Sequence, residues 1–161
     1  MAEIRIERAR SPEELEATRA LFLEYAESLG FSLCFQGFDR ELKELPGRYA
    51  PPRGEIFLAT VDGALAGCGA VRSLDPSIAE MKRLFVRPAF RGHQLGRRLA
   101  EAIVAHAQAQ GFTAMRLDTI ESMTAAIALY ASLGFREIDA YYDNPMPGVR
   151  YFELSLTAAK G

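Results

Sequence analysis

The chain has 161 residues, 49% hydrophobic and 25% charged, a balance that fits one globular domain and argues against a disordered polymer. Its 19 Lys+Arg against 21 Asp+Glu leave a net charge of −2, which argues against a nucleic-acid partner held by overall charge. Arginine outnumbers lysine 16 to 3, lysine occurring only at Lys43, Lys82 and Lys160, so phosphate binding is expected only where arginines cluster.

No apolar run approaches the roughly 18 residues that span a bilayer, and Met1-Ala2-Glu3-Ile4-Arg5 has no apolar leader core. No membrane association is therefore expected, and a cytoplasmic location is. Cys34 and Cys68 lack a C-x-x-C partner and read as reduced, buried thiols. His93 and His106 make no metal-ligand spacing, so no metal is expected.

Ile4-Arg5-Ile6-Glu7-Arg8 alternates apolar and charged residues, the period of a half-buried strand. Ser11-Pro12-Glu13-Glu14 supplies a cap, a proline for the first helical position and acids for the positive helix end. Leu15, Thr18, Phe22, Tyr25 and Leu29 then repeat at three and four, giving a helix that stops at Gly30. Phe31 to Phe38 is aromatic without a clear period. A short helix over Asp39–Leu45 ends at Pro46-Gly47, and Pro51-Pro52-Arg53-Gly54 is a loop.

Glu55–Val61 and Ala64–Ser73 read as strands joined by Asp62-Gly63, a hairpin signal. Gly67 and Gly69 weaken the second strand unless a bulge or close packing requires them. Ile78–Val86 is a fourth strand. A helix over Gln94–Gln110, a strand over Thr113–Asp118, a helix over Met123–Leu133, a strand over Arg136–Tyr141 and a last strand over Arg150–Leu156 follow. The order β-α-α-β-β-β-α-β-α-β-β is an antiparallel meander followed by two β-α-β passes. It predicts an α/β fold of the α+β type: one domain over residues 1–161, with a mixed, mostly antiparallel seven-stranded sheet and helices on both faces.

The chemistry concentrates where the fourth strand runs through Arg87-Pro88-Ala89-Phe90-Arg91-Gly92-His93-Gln94-Leu95-Gly96-Arg97-Arg98 into the long helix. The first helical turn has backbone N–H groups without intrahelical partners and the positive end of the macrodipole. With glycines at 92 and 96 and arginines at 91, 97 and 98, that turn suits a pyrophosphate. Read alone, it is equally a solvated, arginine-rich connection. It has neither the Gly-Lys-Ser/Thr of a nucleotide P-loop nor a G-x-G-x-x-G.

Arg91-Gly92-His93-Gln94-Leu95-Gly96, the preceding Leu84-Phe85-Val86-Arg87-Pro88, and the later Leu129-Tyr130-Ala131-Ser132-Leu133-Gly134-Phe135 resemble motifs of the GNAT superfamily of acetyl-CoA-dependent N-acetyltransferases. The resemblance implies that acetyl-CoA lies in a splay between the fourth and fifth strands. Its pantetheine would pair with the backbone of Leu84, Phe85 and Val86, and its pyrophosphate would rest on the amides of Arg91, Gly92, His93, Gln94, Leu95, Gly96 and Arg97. Gln94 stands where the family prefers glycine; a positive φ there would require the loop to be rearranged. Met123 stands where the family often has asparagine, which removes one cofactor hydrogen bond.

A protonated amine cannot attack a thioester, and the departing thiolate needs a proton. The resemblance implies Glu80 as the general base, directly or through water, and Tyr130 as the general acid. A salt-bridged Glu80 or a packed Tyr130 would look the same in sequence. A backbone N–H near Leu84–Val86, such as that of Val86, would hold the oxyanion. Phe31–Phe38, with Phe35, and Tyr141-Tyr142-Asp143-Asn144-Pro145 line the acceptor pocket in such folds. Their aromatics suggest a small cationic amine held at the ring faces of Tyr141 and Tyr142, beside Asn144. The expected activity is direct transfer to a small-molecule or amino-acid-like amine. A protein N-terminus or lysine as acceptor, and a silent acyl-CoA-binding module, are the alternatives, and a homodimer is one allowed assembly.

Overall fold

A computed structural model describes residues 2–29, 37–144 and 146–156. Within them, seven strands form one sheet in the order β1-β2-β3-β4-β5-β7-β6. They are β1 (Ile4–Arg8), β2 (Glu55–Val61), β3 (Ala64–Asp75), β4 (Ile78–Val86), β5 (Ala114–Ile120), β6 (Arg136–Ile138) and β7 (Val149–Ser155). The helices are α1 (Pro12–Leu29), α2 (Phe38–Glu44), α3 (Leu95–Ala109) and α4 (Thr124–Ser132). None of them is long and apolar enough to cross a membrane.

Local chemistry starts these elements where the sequence says it should. Ser11 Oγ accepts from the Glu14 N–H (3.1 Å) while Glu14 Oε1 accepts from the Ser11 N–H (2.9 Å), a reciprocal cap that fixes the start of α1. Asp62 and Gly63 both take positive φ (51° and 84°), the backbone shape that matches the twist of a tight hairpin. β1 to β4 then form the expected antiparallel meander.

The second expected β-α-β pass is modified. β4, α3 and β5 make a true parallel crossover, but β7 inserts between β5 and β6 and pairs antiparallel with both. β6 also ends at Ile138 rather than Tyr141. The chain leaves the sheet edge there and carries Tyr141 and Tyr142 back over the sheet, where their hydroxyls bond Glu80 and Asp118.

The sheet separates two apolar layers. Under α3 and α4 lie Phe57, Met81, Leu99, Ile103, Met115, Leu117 and Phe152; under α1 and α2 lie Leu21, Phe22, Tyr49, Ile56, Leu58 and Cys68. Burying each such aliphatic side chain contributes roughly 1.5–3 kcal/mol. His106 of α3 is buried. Its Nε2 bonds the Pro52 carbonyl (2.9 Å) and its Nδ1 faces Arg8 (3.1 Å), which ties α3 to the loop before β2.

Both strand glycines have steric reasons. A Cβ on Gly67 would sit 2.6 Å from the Phe85 carbonyl oxygen, and one on Gly69 would sit 2.8 Å from Ile103 Cδ1. Opposite Gly69 the register slips by one residue, from Cys68↔Phe85 to Ala70↔Lys82. Arg83 and Leu84 thus share one partner position, with Arg83 at φ 61°. This is a β-bulge in β4, and it lies at the cleft.

Candidate active site

β4 and β5 pair only from Ile78↔Ala114 to Glu80↔Arg116. Beyond that point they diverge, leaving a cavity walled by Met81, Lys82 and Leu84 on one side and Leu117, Asp118 and Ile120 on the other. The Arg87 N–H bonds the Ala66 carbonyl at 2.8 Å. By strand alternation the N–H and C=O of Val86 therefore face away from β3, toward the split. Two arginines bracket this stretch. Arg83 donates to Glu41 of α2 from Nε and Nη2 (2.9 and 2.8 Å), and Arg87 donates to Glu24 of α1 from the same two nitrogens (2.9 and 2.7 Å). Helices on one face thereby fix the bulge and the strand end on which an extended ligand would lie.

The split leads to the N-terminus of α3. The first helical bond runs from the Arg98 N–H to the Gln94 carbonyl (3.1 Å), so the N–H groups of Leu95, Gly96 and Arg97 have no helical acceptor, and no side chain caps them. Gly92 takes φ 100° and Gln94 φ 58°. The φ at Gln94 is thus positive, the condition under which glycine is preferred there. Glutamine adopts the left-handed shape that glycine takes without strain, and α3 still begins at Leu95. Arg91 and Gln94 are exposed and His93 half-buried. Arg97 turns to the side, to Ser132 Oγ (2.5 Å) and Glu101 (3.7 Å).

Tyr130 of α4 and Met123, at the helix cap, also line the split. The Tyr130 ring packs on Phe135 and Phe152. Its hydroxyl makes no hydrogen bond to a described residue, and burial pushes it well above the usual phenol range.

Glu80 does not line that cavity. It is 1% exposed; Oε1 accepts from Arg72 Nε (2.8 Å) and Oε2 from the Tyr141 hydroxyl (2.6 Å). Burial works to raise its carboxyl, but the charges of Lys82 and Arg72 and these hydrogen bonds outweigh it and hold the group below the usual carboxylate range. Glu80 belongs to a rung of alternating charge that crosses one face of the sheet: Arg72↔Glu80↔Arg116↔Glu153↔Arg136. Two residues further along β4 and β5, on that same face, Lys82 Nζ lies 3.8 Å from Asp118 Oδ1 across the split. Asp118 Oδ2 accepts from the Tyr142 hydroxyl (2.5 Å), and Asn144 Nδ2 bonds the same hydroxyl (2.9 Å).

Lys82, Asp118 and Arg72 are the site residues that motif reasoning misses. Their signal is a pair of charges at i and i+2 in each of two neighbouring strands, Glu80/Lys82 and Arg116/Asp118, which places four charges on one face. The tyrosines do not form an open aromatic cage. Tyr141, Tyr142 and Tyr151 meet edge to face at 5.3–5.7 Å, and the Arg116 guanidinium covers the Tyr141 ring at 5.4 Å. Phe35 and Cys34 lie outside the described residues. Cys68 is a free, fully buried thiol bonded to the Arg83 carbonyl (3.3 Å), and burial raises its pKa, which leaves it inert.

A half-open parallel strand pair, an uncapped helix N-terminus at its mouth and a lining tyrosine whose hydroxyl bonds no described residue form a cleft suited to an extended, phosphate-bearing thioester. Such a cleft is consistent with an acyl-CoA-dependent transferase. The model of the acetyltransferase (GNAT) family matches residues 15–135. An uncharacterised N-acetyltransferase of Schizosaccharomyces pombe is 37% identical over 156 residues, 96% of either chain. An acetyltransferase structure from Streptococcus agalactiae superposes with a TM-score of 0.78 at 23% identity, over 95% of this chain and 98% of that one. A putative acetyltransferase from Salmonella typhimurium, solved with its cofactor acetyl-CoA, gives 0.68 at 18% identity, over 98% and 96%. The chain belongs to the GNAT family of acetyltransferases, enzymes that use acyl-CoA.

Proposed function

We propose that this enzyme moves an acetyl group from acetyl-CoA directly to the primary amine of a small-molecule or amino-acid-like acceptor. The amides from Gly92 to Arg97, with Arg91 alongside, hold the pyrophosphate, and the backbone of Leu84, Phe85 and Val86 pairs with the pantetheine. The Val86 N–H, facing the split, bonds the thioester carbonyl and strengthens that bond as negative charge develops there.

The base role is assigned to Asp118 rather than Glu80. Asp118 lines the cavity that holds Tyr130, whereas both Glu80 oxygens are committed to Arg72 and Tyr141. Asp118 takes a proton from the acceptor ammonium; the neutral nitrogen attacks the carbonyl carbon, and the N–C bond forms as the C–S bond breaks. Tyr130 gives its proton to the departing sulfur, and the second proton that the nitrogen sheds on becoming an amide returns through solvent to the Tyr130 oxygen, so that one proton remains on Asp118. Glu80 is a positioning residue that holds Tyr141 over the site. Transfer is read as direct, since Cys68 is buried and inert and neither cysteine lies in a sequence motif with a base partner.

The observation that carries this reading is that Tyr130, whose hydroxyl bonds no described residue, lines one cavity with Asp118. Release of free CoA thiol, followed over a panel of amines with wild type and Asp118→Asn, tests it. Wild type should release CoA only with an acceptor present. Asp118→Asn should lower kcat by about 10²-fold or more, the usual worth of a positioned base, with little change in KM for acetyl-CoA. Full activity in Asp118→Asn would remove Asp118 from the mechanism.

A further inference from the structure

We infer that the acceptor carries a carboxylate next to its amine, as an α-amino acid does, with its ammonium received by Asp118 and its carboxylate by Lys82. This rests on the reading of the β4–β5 split as the place of transfer, and narrows it to a substrate class.

Lys82 and Asp118 face each other on opposite walls of the cavity that contains Tyr130. Their separation of 3.8 Å contrasts with the 2.8 Å of the neighbouring buried pairs Arg72–Glu80 and Arg83–Glu41. Each of those pairs is closed by a two-point arginine contact. The Lys82–Asp118 pair is a longer ion pair just beyond the last paired residues of its two strands, and Asp118 is oriented by Tyr142 on its other oxygen. An opposite pair spread across a cleft is the complement of a zwitterion. The ligand brings one charge of each sign, so both protein charges stay neutralised when it enters.

The cation is also a particular one. In a chain with 16 arginines and three lysines, the buried basic residue at the split that faces an acid across it is lysine. Lysine presents a compact ammonium with three donors, which serves a carboxylate arriving from one direction without imposing the flat fork of arginine.

A purely cationic acceptor finds no such welcome. The ring faces that would attract it are occupied, Tyr141 by Arg116 and the three tyrosines by one another. Their hydroxyls are bonded to Glu80, Asp118 and the Tyr142 carbonyl. A polyamine or a lysine side chain would bring positive charge against Lys82 with no carboxylate to offset it.

The test compares each of the twenty α-amino acids with the amine left when its carboxylate is removed, for example phenylalanine with phenethylamine, by CoA release. At least one amino acid should exceed its amine in kcat/KM by about 10-fold or more, the range of a charge-assisted contact. Lys82→Met should erase that preference by raising the KM of the amino acid, leave KM for acetyl-CoA within about 2-fold, and Lys82→Arg should restore part of the preference. If Lys82→Met does not fold, the wild-type comparison decides alone. Equal use of amines and amino acids, or acetylation of amines alone, would overturn the inference and leave the transfer reading standing. Absence of acetyl-CoA binding by calorimetry would overturn both.

Discussion

Glu80 and Tyr141 lie 61 residues apart in sequence and meet in a 2.6 Å hydrogen bond over the face of the sheet. That bond fastens the loop between β6 and β7 to the centre of the structure. Losing a hydrogen bond to a charged acceptor costs about 1.5–3 kcal/mol, so Tyr141→Phe should lower the midpoint of denaturant unfolding accordingly. Glu80→Gln keeps the shape but leaves Arg72 without its countercharge, and should destabilise by a similar amount or more. If Glu80 only positions, the acid limb of the pH–rate profile will sit at the same pH in Glu80→Gln as in wild type. A lost acid limb would return the base role to Glu80.

Tyr130 lines the split and packs its ring on Phe135 and Phe152. Removing the oxygen leaves the packing intact, so Tyr130→Phe should melt within about 0.5 kcal/mol of wild type. Turnover should fall by about 10²-fold or more, while acetyl-CoA affinity by calorimetry stays the same. Burial raises the phenol pKa, so the hydroxyl stays protonated across neutral pH and is ready to donate.

Gln94 sits at φ 58°, where an L side chain costs about 1–2 kcal/mol. Gln94→Gly relieves that strain, offset in part by the greater freedom of glycine in the unfolded chain. The net effect should be about 0.5–1 kcal/mol of added stability by denaturant unfolding, with acetyl-CoA binding unaltered. A loss of stability would show that the glutamine side chain makes a compensating contact.

Glu55, with a side chain 1% exposed, bonds both Arg8 (2.8 Å) and Arg10 (2.5 and 2.7 Å). Burial works to raise its carboxyl, but the Arg10 and Arg8 hydrogen bonds and the Ile56 N–H hold it below its ordinary value. A folded value below the unfolded one, about 4.3, means the contribution is complete above that pH and disappears as pH falls through the folded value. Glu55→Gln should lower stability at pH 7 by on the order of 2 kcal/mol, because Arg8 and Arg10 are half exposed and can be rehydrated. Its stability should also fall less steeply than that of wild type below about pH 4, measured by thermal unfolding across pH.

Much of this was legible in the residues themselves. The cap at Ser11, the hairpin at Asp62-Gly63 and the strand-to-helix turn at Gly92–Gly96 are local chemistry, and each lies where its residues indicate. What escaped is non-local. The insertion of β7 between β5 and β6 is decided by sheet pairing, to which short strands give no sequence clue. The rung from Arg72 to Arg136 is assembled from five strands, so no single segment displays it. The Tyr141-Tyr142 pair looked like an open aromatic surface because the sequence does not reveal that Arg116 and two carboxylates already occupy it.

The uncapped start of α3 bears most of the account, and Gly96 is the position that tests it. A Cβ there would meet only Leu129 Cδ2 at an ordinary 3.5 Å, and a glutamate in a first helical turn favours the helix. Gly96→Glu should therefore fold as wild type does while placing bulk and negative charge where the pyrophosphate is proposed to sit. Calorimetric titration with acetyl-CoA should show saturable binding to wild type and none to Gly96→Glu; equal affinity for the two proteins would contradict the placement of the cofactor.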